Sequence, residues 1–305
     1  MQRAFRTFLG VDLGGGKGKN TAVARLEDRD GVLQVVEVGT THEGHAFHDE
    51  KLIAYLGAHA EGAVLAIDAP LTLTACVRCR EPVCPGFAAC VDPAIVWFRT
   101  AGAELVAHAR DDRNRIAAVP ANGKVNAPIA AAPTARKPHT TPYTQRATEV
   151  VLHRRHGVVP RETLGQGMGP LTARAAHLVR ALAGHRYHLN QNLLEVYPKA
   201  TIHMLYGQKV ARSYKREVDT WETRARVLES LRGQLDFAPR SGLARETVLQ
   251  NDHCFDAVVC AYTAYLWARD GWSLPEEHRE VFAVDGWIWA PPASPGESKG
   301  QSSSS

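Results

Sequence analysis

A chain of 305 residues, 45% apolar and 22% charged, is long enough to bury a proper core and too apolar to be disordered. No apolar run reaches the ~18 to 20 residues of a membrane span. The start, MQRAFRTFLGVDLGG, carries neither a long apolar stretch nor a small-residue cleavage site, so a soluble cytoplasmic protein is expected. A net charge of +4 permits a polyanionic substrate without demanding one, and falls short of a DNA-coating protein.

The first third alternates strand and helix signals. TFLGVD (residues 7–12) is a short apolar run that ends in an acid and enters the turn Gly14-Gly15-Gly16. Residues 21–26 and 32–38 are apolar or β-branched and flank the polar turn EDRDG, so three strands in an antiparallel meander are expected. Residues 48–59 carry a helical pattern through Leu52, Ile53, Tyr55 and Leu56. AVLAI (63–67) then reads as a central strand covered on both faces, ending in Asp68-Ala69-Pro70.

Residues 71–186 are expected to form a large insertion, mainly helical (101–111, 143–156 and 172–183), with an Ala/Pro-rich stretch from 117 to 142. Regular structure resumes with a strand at 192–197 (NLLEVY), a helix at 221–234 and a longer helix at 245–269. Residues 281–290 read as a last strand or hairpin, and the tail 293–305 as disordered. The expected organisation is a core split between 1–70 and 187–292, interrupted by the insertion.

Three strands end in an acid: Asp12, Asp68 and Glu195. Carboxyl ends of parallel strands gather at one edge, where sites are built. The late helix adds Asp252, His253 and Asp256, with Ala257, Ala261 and Ala264 small enough to let it approach the sheet. Carboxylates at one point repel one another unless a cation neutralises them, and hard oxygen ligands suit Mg2+ or Mn2+. Two such ions about 4 Å apart can activate water and stabilise the leaving oxygen of a phosphodiester. The alternative is that each acid merely caps a turn.

Asp12 on the first strand, Asp68 on the strand after the first helix and His253-x-x-Asp256-Ala257 on a late helix resemble the ribonuclease H-like superfamily, the last element in its RuvC resolvase form. VDL, IDAP, EVYP, SYK and NDHCFDAVVCAYTA together resemble the bacterial family called domain of unknown function 429, described as predicted nucleases. The likeness extends to Arg146 and Glu149 (RATE) and to Tyr214-Lys215. It implies an α/β fold, an RNase H-like mixed sheet flanked by helices; the four-cysteine cluster that the large, mainly helical insertion carries is read from the sequence alone and is the feature the likeness explains least. It also implies Asp12, Asp68, Glu195 and Asp256 as metal ligands, with His253 or Asp252 positioning a water and Asp252 a further candidate ligand. Lys215 and Arg146 would contact a phosphate; alternatively Lys215 is a solvated surface lysine, and Arg146 pairs with Glu149 within its helix. The expected reaction is metal-dependent hydrolysis of a nucleic acid, DNA or RNA, by a two-metal mechanism.

The loop DLGGGKGK fits neither GxxxxGK[ST] nor a dinucleotide fingerprint. It resembles the first phosphate loop of the sugar kinase, actin and Hsp70 superfamily. Lys17 and Lys19 are therefore substrate candidates, and an ATP-dependent phosphotransferase is a second reading. A non-catalytic binding module on the same fold is a third. Cys76-x2-Cys79-x4-Cys84-x5-Cys90 places four of six cysteines within 15 residues, a set that suits Zn2+ or an iron–sulfur cluster, the alternative being reduced cysteines without metal. Cys254 and Cys260 read as core residues. The basic stretch 136–161 is either a nucleic-acid face or a solvated helix face.

Overall fold

The computed structural model describes residues 5–15, 20–107, 140–216, 218–238 and 242–292. TFLGVD forms strand β1 (Thr7–Asp12), which pairs antiparallel with β2 (Ala22–Arg29). The turn through Asp30 and Gly31, both at positive φ, leads to β3 (Val32–Gly39), which completes the expected meander. A small hairpin of β4 (Thr41–His42) and β5 (His45–Ala46) leads to helix α1 (Asp49–Ala58). Strand β6 (Ala63–Asp68) then runs parallel to β1 with its apolar residues buried, as AVLAI predicts.

After β6 come the single turn α2 (Ala75–Arg78), α3 (Pro93–Arg99), a helical stretch α4 over residues 101–107, α5 (Ala147–His156) and α6 (Gly169–Ala183). The chain returns through β7 (Leu193–Val196) to α7 (Pro198–Arg216), α8 (Thr220–Ser230) and β8 (Leu235–Phe237). It ends in α9 (Gly242–Gln250), α10 (Asp252–Asp270), α11 (Arg279–Asp285) and β9 (Ile288–Trp289). The seven-stranded sheet has the order β8-β3-β2-β1-β6-β7-β9 and is parallel everywhere except within the meander. Among the described residues no helix is long and apolar enough to cross a membrane.

Two apolar layers sandwich the sheet. Helix α10 is buried at every position from Cys254 to Ala268, as a helix apolar on all sides must be, and it joins α7, α8 and α9 on one face. On the other face α1 and α6 pack against Leu9, Val11, Leu65 and Ile67. Helix α6 therefore belongs to the sheet's own core, although its sequence position falls within the expected insertion. A third cluster joins α3, α5 and α11 beside the sheet.

The remaining differences have local causes. The helix expected over 245–269 is broken at Asn251, which is extended and caps α10 by accepting from the His253 and Cys254 amides. The strand expected over 281–290 is a helix followed by a two-residue strand. Gly286 (φ 96°) divides them, and Val281 and Phe282 bury against α3 and α5. Strand propensity yields to packing there. Helix α7, broken at Gly207 (φ 82°, ψ 171°), is absent from the sequence expectations because Gly207 interrupts its periodicity. Most of the Ala/Pro-rich stretch, the end of the helix expected over 101–111, and the tail lie outside the described residues.

Candidate metal centre

Asp12 and Asp68 end neighbouring parallel strands and are register partners, so their side chains leave the same face of the sheet. That face is the one α10 covers. The contact is closest at Gly10, where a Cβ would sit 2.0 Å from the Ala257 carbonyl oxygen. Asp256, the residue before Ala257, thereby reaches the two strand-end acids. Asp12, Asp68 and Asp256 each offer one oxygen, all within 4.8 Å of one another. No other group of three or more His, Cys, Asp or Glu is that close among the described residues.

Both Asp256 oxygens are sealed from solvent and lack a hydrogen bond of ordinary geometry, although the Lys215 ammonium forms an ion pair with the carboxylate. Burial pushes the Asp256 pKa up to about 7; Lys215 opposes the rise and the Asp12 charge adds to it. Asp68 is also raised well above the ordinary carboxylate range, first by burial and then by Asp12 and Asp256. Burial works against the Lys215 charge, but Asp256, Asp68 and Asp12 outweigh it and hold the ammonium protonated. His253 Nδ1 lies 2.6 Å from Asp12 Oδ2, and this hydrogen bond raises the imidazole pKa. Buried Tyr214 is raised by burial and by the Asp256 and Asp68 charges. Three carboxylates that offer hard oxygen donors at one point fit Mg2+ or Mn2+.

Glu195 does not join this group. It is the register partner of Ile67 rather than Asp68, and that single step turns its side chain to the opposite face. There its carboxylate accepts from Arg146 at 2.7 and 2.5 Å and from the Leu71 amide at 2.8 Å, leaving it no ligand role. Arg146 is likewise unsuited to meet a phosphate, being 1% exposed and bonded to Glu195, Glu149 and Thr72. Asp285 closes the same knot, accepting from the Ala147 amide and from Arg78. Asp252 opens α10 outside the three-acid group. Lys17 and Lys19 lie outside the described residues.

Two features went unread in the sequence. Arg174 on α6 clamps the first turn, donating to Gly14 O, Thr21 Oγ1 and Phe47 O while pairing with Asp49. Helix α7 gathers Lys199, Arg212, Lys215 and Arg216; burial, and then the charges of Arg216, Arg212 and Lys215, lower the Lys199 pKa. The signal for this second basic face was the Lys/Arg spacing over 199–216. The stretch expected to be basic, 136–161, is described only from residue 140, and its Arg155 pairs with Glu277.

Fold and site together define an α/β protein with three carboxylates converging at the carboxyl ends of its central strands. The chain belongs to the family described as protein of unknown function (DUF429), whose model matches residues 10–280. No curated protein and no solved structure matches it.

Proposed function

We propose that this chain is a divalent-metal-dependent nuclease on a ribonuclease H-like fold, hydrolysing nucleic-acid phosphodiester bonds. The observation that carries this reading is the convergence of Asp12, Asp68 and Asp256 within 4.8 Å, with the Asp256 carboxylate sealed from solvent and paired with the Lys215 ammonium. Three carboxylates forced together cost stability, and such a cost persists where function requires it. The sheet supports the fold: an antiparallel meander whose first strand continues into parallel strands, with the third acid brought by a late helix.

When bound, Mg2+ or Mn2+ would polarise the scissile phosphate and make water a better nucleophile, the two-ion chemistry that inverts phosphorus. Asp12, Asp68 and Asp256 would hold the metal. His253 is held through Nδ1 by Asp12, and its raised pKa makes the ring a competent proton acceptor at Nε2. Lys215, charged and in contact with Asp256, keeps a cation beside the acids when they ionise. The exposed cations Arg212 and Arg216 continue from Lys215 along α7 and suit a phosphate backbone passing the acids.

The test is a cleavage screen of purified protein against single- and double-stranded DNA and RNA with Mg2+ or Mn2+. Cleavage that vanishes in Asp12→Asn and Asp256→Asn is the expected result. Absence of cleavage with every substrate and both ions, or activity unchanged in the two variants, would overturn the proposal.

A further inference from the structure

The segment between α2 and α3, residues 79–92, has no regular secondary structure and is mostly exposed. It also lacks an apolar core of its own: Val83 is 79% and Val91 87% exposed, and Phe87 is nearly half exposed. A loop of this length without buried apolar side chains has little to offset the entropy of ordering it. What fixes it is polar. Arg78 holds Asp92 at the far end, at 3.0 and 3.3 Å. Arg99 donates to the carbonyls of Phe87, Ala88 and Cys90 at 2.6, 2.8 and 2.8 Å.

This loop carries the cysteine pattern. Cys76 lies in α2, and Cys79 follows at its end, where its sulfur accepts the Glu81 amide at 3.5 Å. Gly86, at φ 83°, turns the chain so that the Cys90 amide bonds back to Gly86 O at 3.0 Å, and Cys84 stands before that turn. Arg78 and Arg99 supply positive charge at both ends of the loop.

We propose that Cys76, Cys79, Cys84 and Cys90 form a structural zinc site of four thiolates that clamps residues 76–90. Tetrahedral zinc commonly replaces a missing core in loops of this kind, and a CxxC pair supplies half of the ligand set. The four sulfurs do not bring three members within 4.8 Å of one another, so zinc capture draws the loop inward. Soft thiolates and hard carboxylates prefer different metals, and the site is independent of the acidic centre. The clamp still bears on that centre's surroundings, because Arg78 also reaches Asp285 in the knot around Arg146 and Glu195.

The experiment is metal analysis of the untagged full chain purified anaerobically, followed by exchange of its metal for Co2+. The expected result is one zinc per chain, retained in Asp12→Asn and lost in Cys79→Ser and Cys84→Ser. Thiolate-to-cobalt charge-transfer absorption is expected in the Co2+-loaded wild type, which keeps the test decisive even if a serine variant does not fold. Removing zinc by chelation should raise protease cleavage within residues 79–91 by about tenfold while the sheet stays folded. Iron with acid-labile sulfide, less than stoichiometric zinc, zinc unaffected by Cys84→Ser, or Co2+ protein without the charge-transfer bands would each overturn the proposal.

Discussion

Replacing Gly10 with alanine tests the contact that assembles the acidic centre. A Cβ at Gly10 would lie 2.0 Å from Ala257 O, 2.5 Å from Ala261 N and 3.0 Å from Ala261 Cβ. The two nearest atoms are backbone, so no side chain can swing aside. Restoring a 3.4 Å contact to the oxygen requires α10 to retreat by about 1.4 Å. Overpacking of a buried site costs roughly 1 to 3 kcal/mol, and a helix buried from Cys254 to Ala268 belongs at the upper end, about 3 kcal/mol. Asp256 precedes Ala257 and moves with it. That shift pulls Asp256 away from Asp12 and Asp68 and weakens Mn2+ binding. Urea unfolding and Mn2+ titration calorimetry on Gly10→Ala should show both losses. A variant within about 0.5 kcal/mol of wild type that binds Mn2+ equally well would refute the close-packing argument.

Further outcomes follow from the charges. Asp68→Asn removes a half-buried acid repelled by Asp12 and Asp256, so metal-free protein should gain about 1 to 2 kcal/mol, or ~2 to 8 °C in Tm, while Mn2+ binding collapses. Calorimetry in the presence of a chelator checks the first part and titration the second. The folded pKa of Asp256, about 7, lies above its unfolded value, so its contribution favours the folded state at low pH and is lost as pH rises from about 4 through 7. Metal-free protein should therefore lose stability over that window relative to Asp256→Asn, and Mn2+ affinity should rise between pH 6 and 8; affinity independent of pH would contradict the assignment. Arg146→Ala leaves Glu195 and Glu149 buried without their cation and should cost about 3 to 5 kcal/mol in urea unfolding. A folded Arg146→Ala variant altered only in KM would restore its role as a substrate contact. Arg212→Ala with Arg216→Ala should reduce the salt dependence of nucleic-acid affinity by about one unit of slope per charge, read by fluorescence anisotropy across a salt series.

The meander, AVLAI and the burial of the late helix were legible because strand and helix periodicities leave a local trace. Asp12 and Asp68 were legible because each ends a strand, and Asp256 through its place in His253-x-x-Asp256-Ala257 on the late helix. Glu195 was misread for a reason no single strand reveals: whether a strand-end acid faces the site depends on its register against a neighbour, and β7 is offset from β6 by one residue. Arg146 was misread with it, since the partner that buries it stands 49 positions away in sequence. Residues 281–290 look like a strand to any local measure, and only their packing against α3 and α5 makes most of them helical. The Gly10 contact was half legible, in the small residues of α10 but not in the strand that receives them.

The bond between His253 and Asp12 spans 241 positions of sequence, and the third acid arrives with the same late helix. During synthesis the meander and β6 can emerge and pair while Asp256 is still untranslated or inside the ribosome. A nascent chain, or a product of premature termination before residue 252, holds at most two of the three carboxylates. The centre cannot close before the late helix is made, and copies that stop short of it are born unable to assemble it.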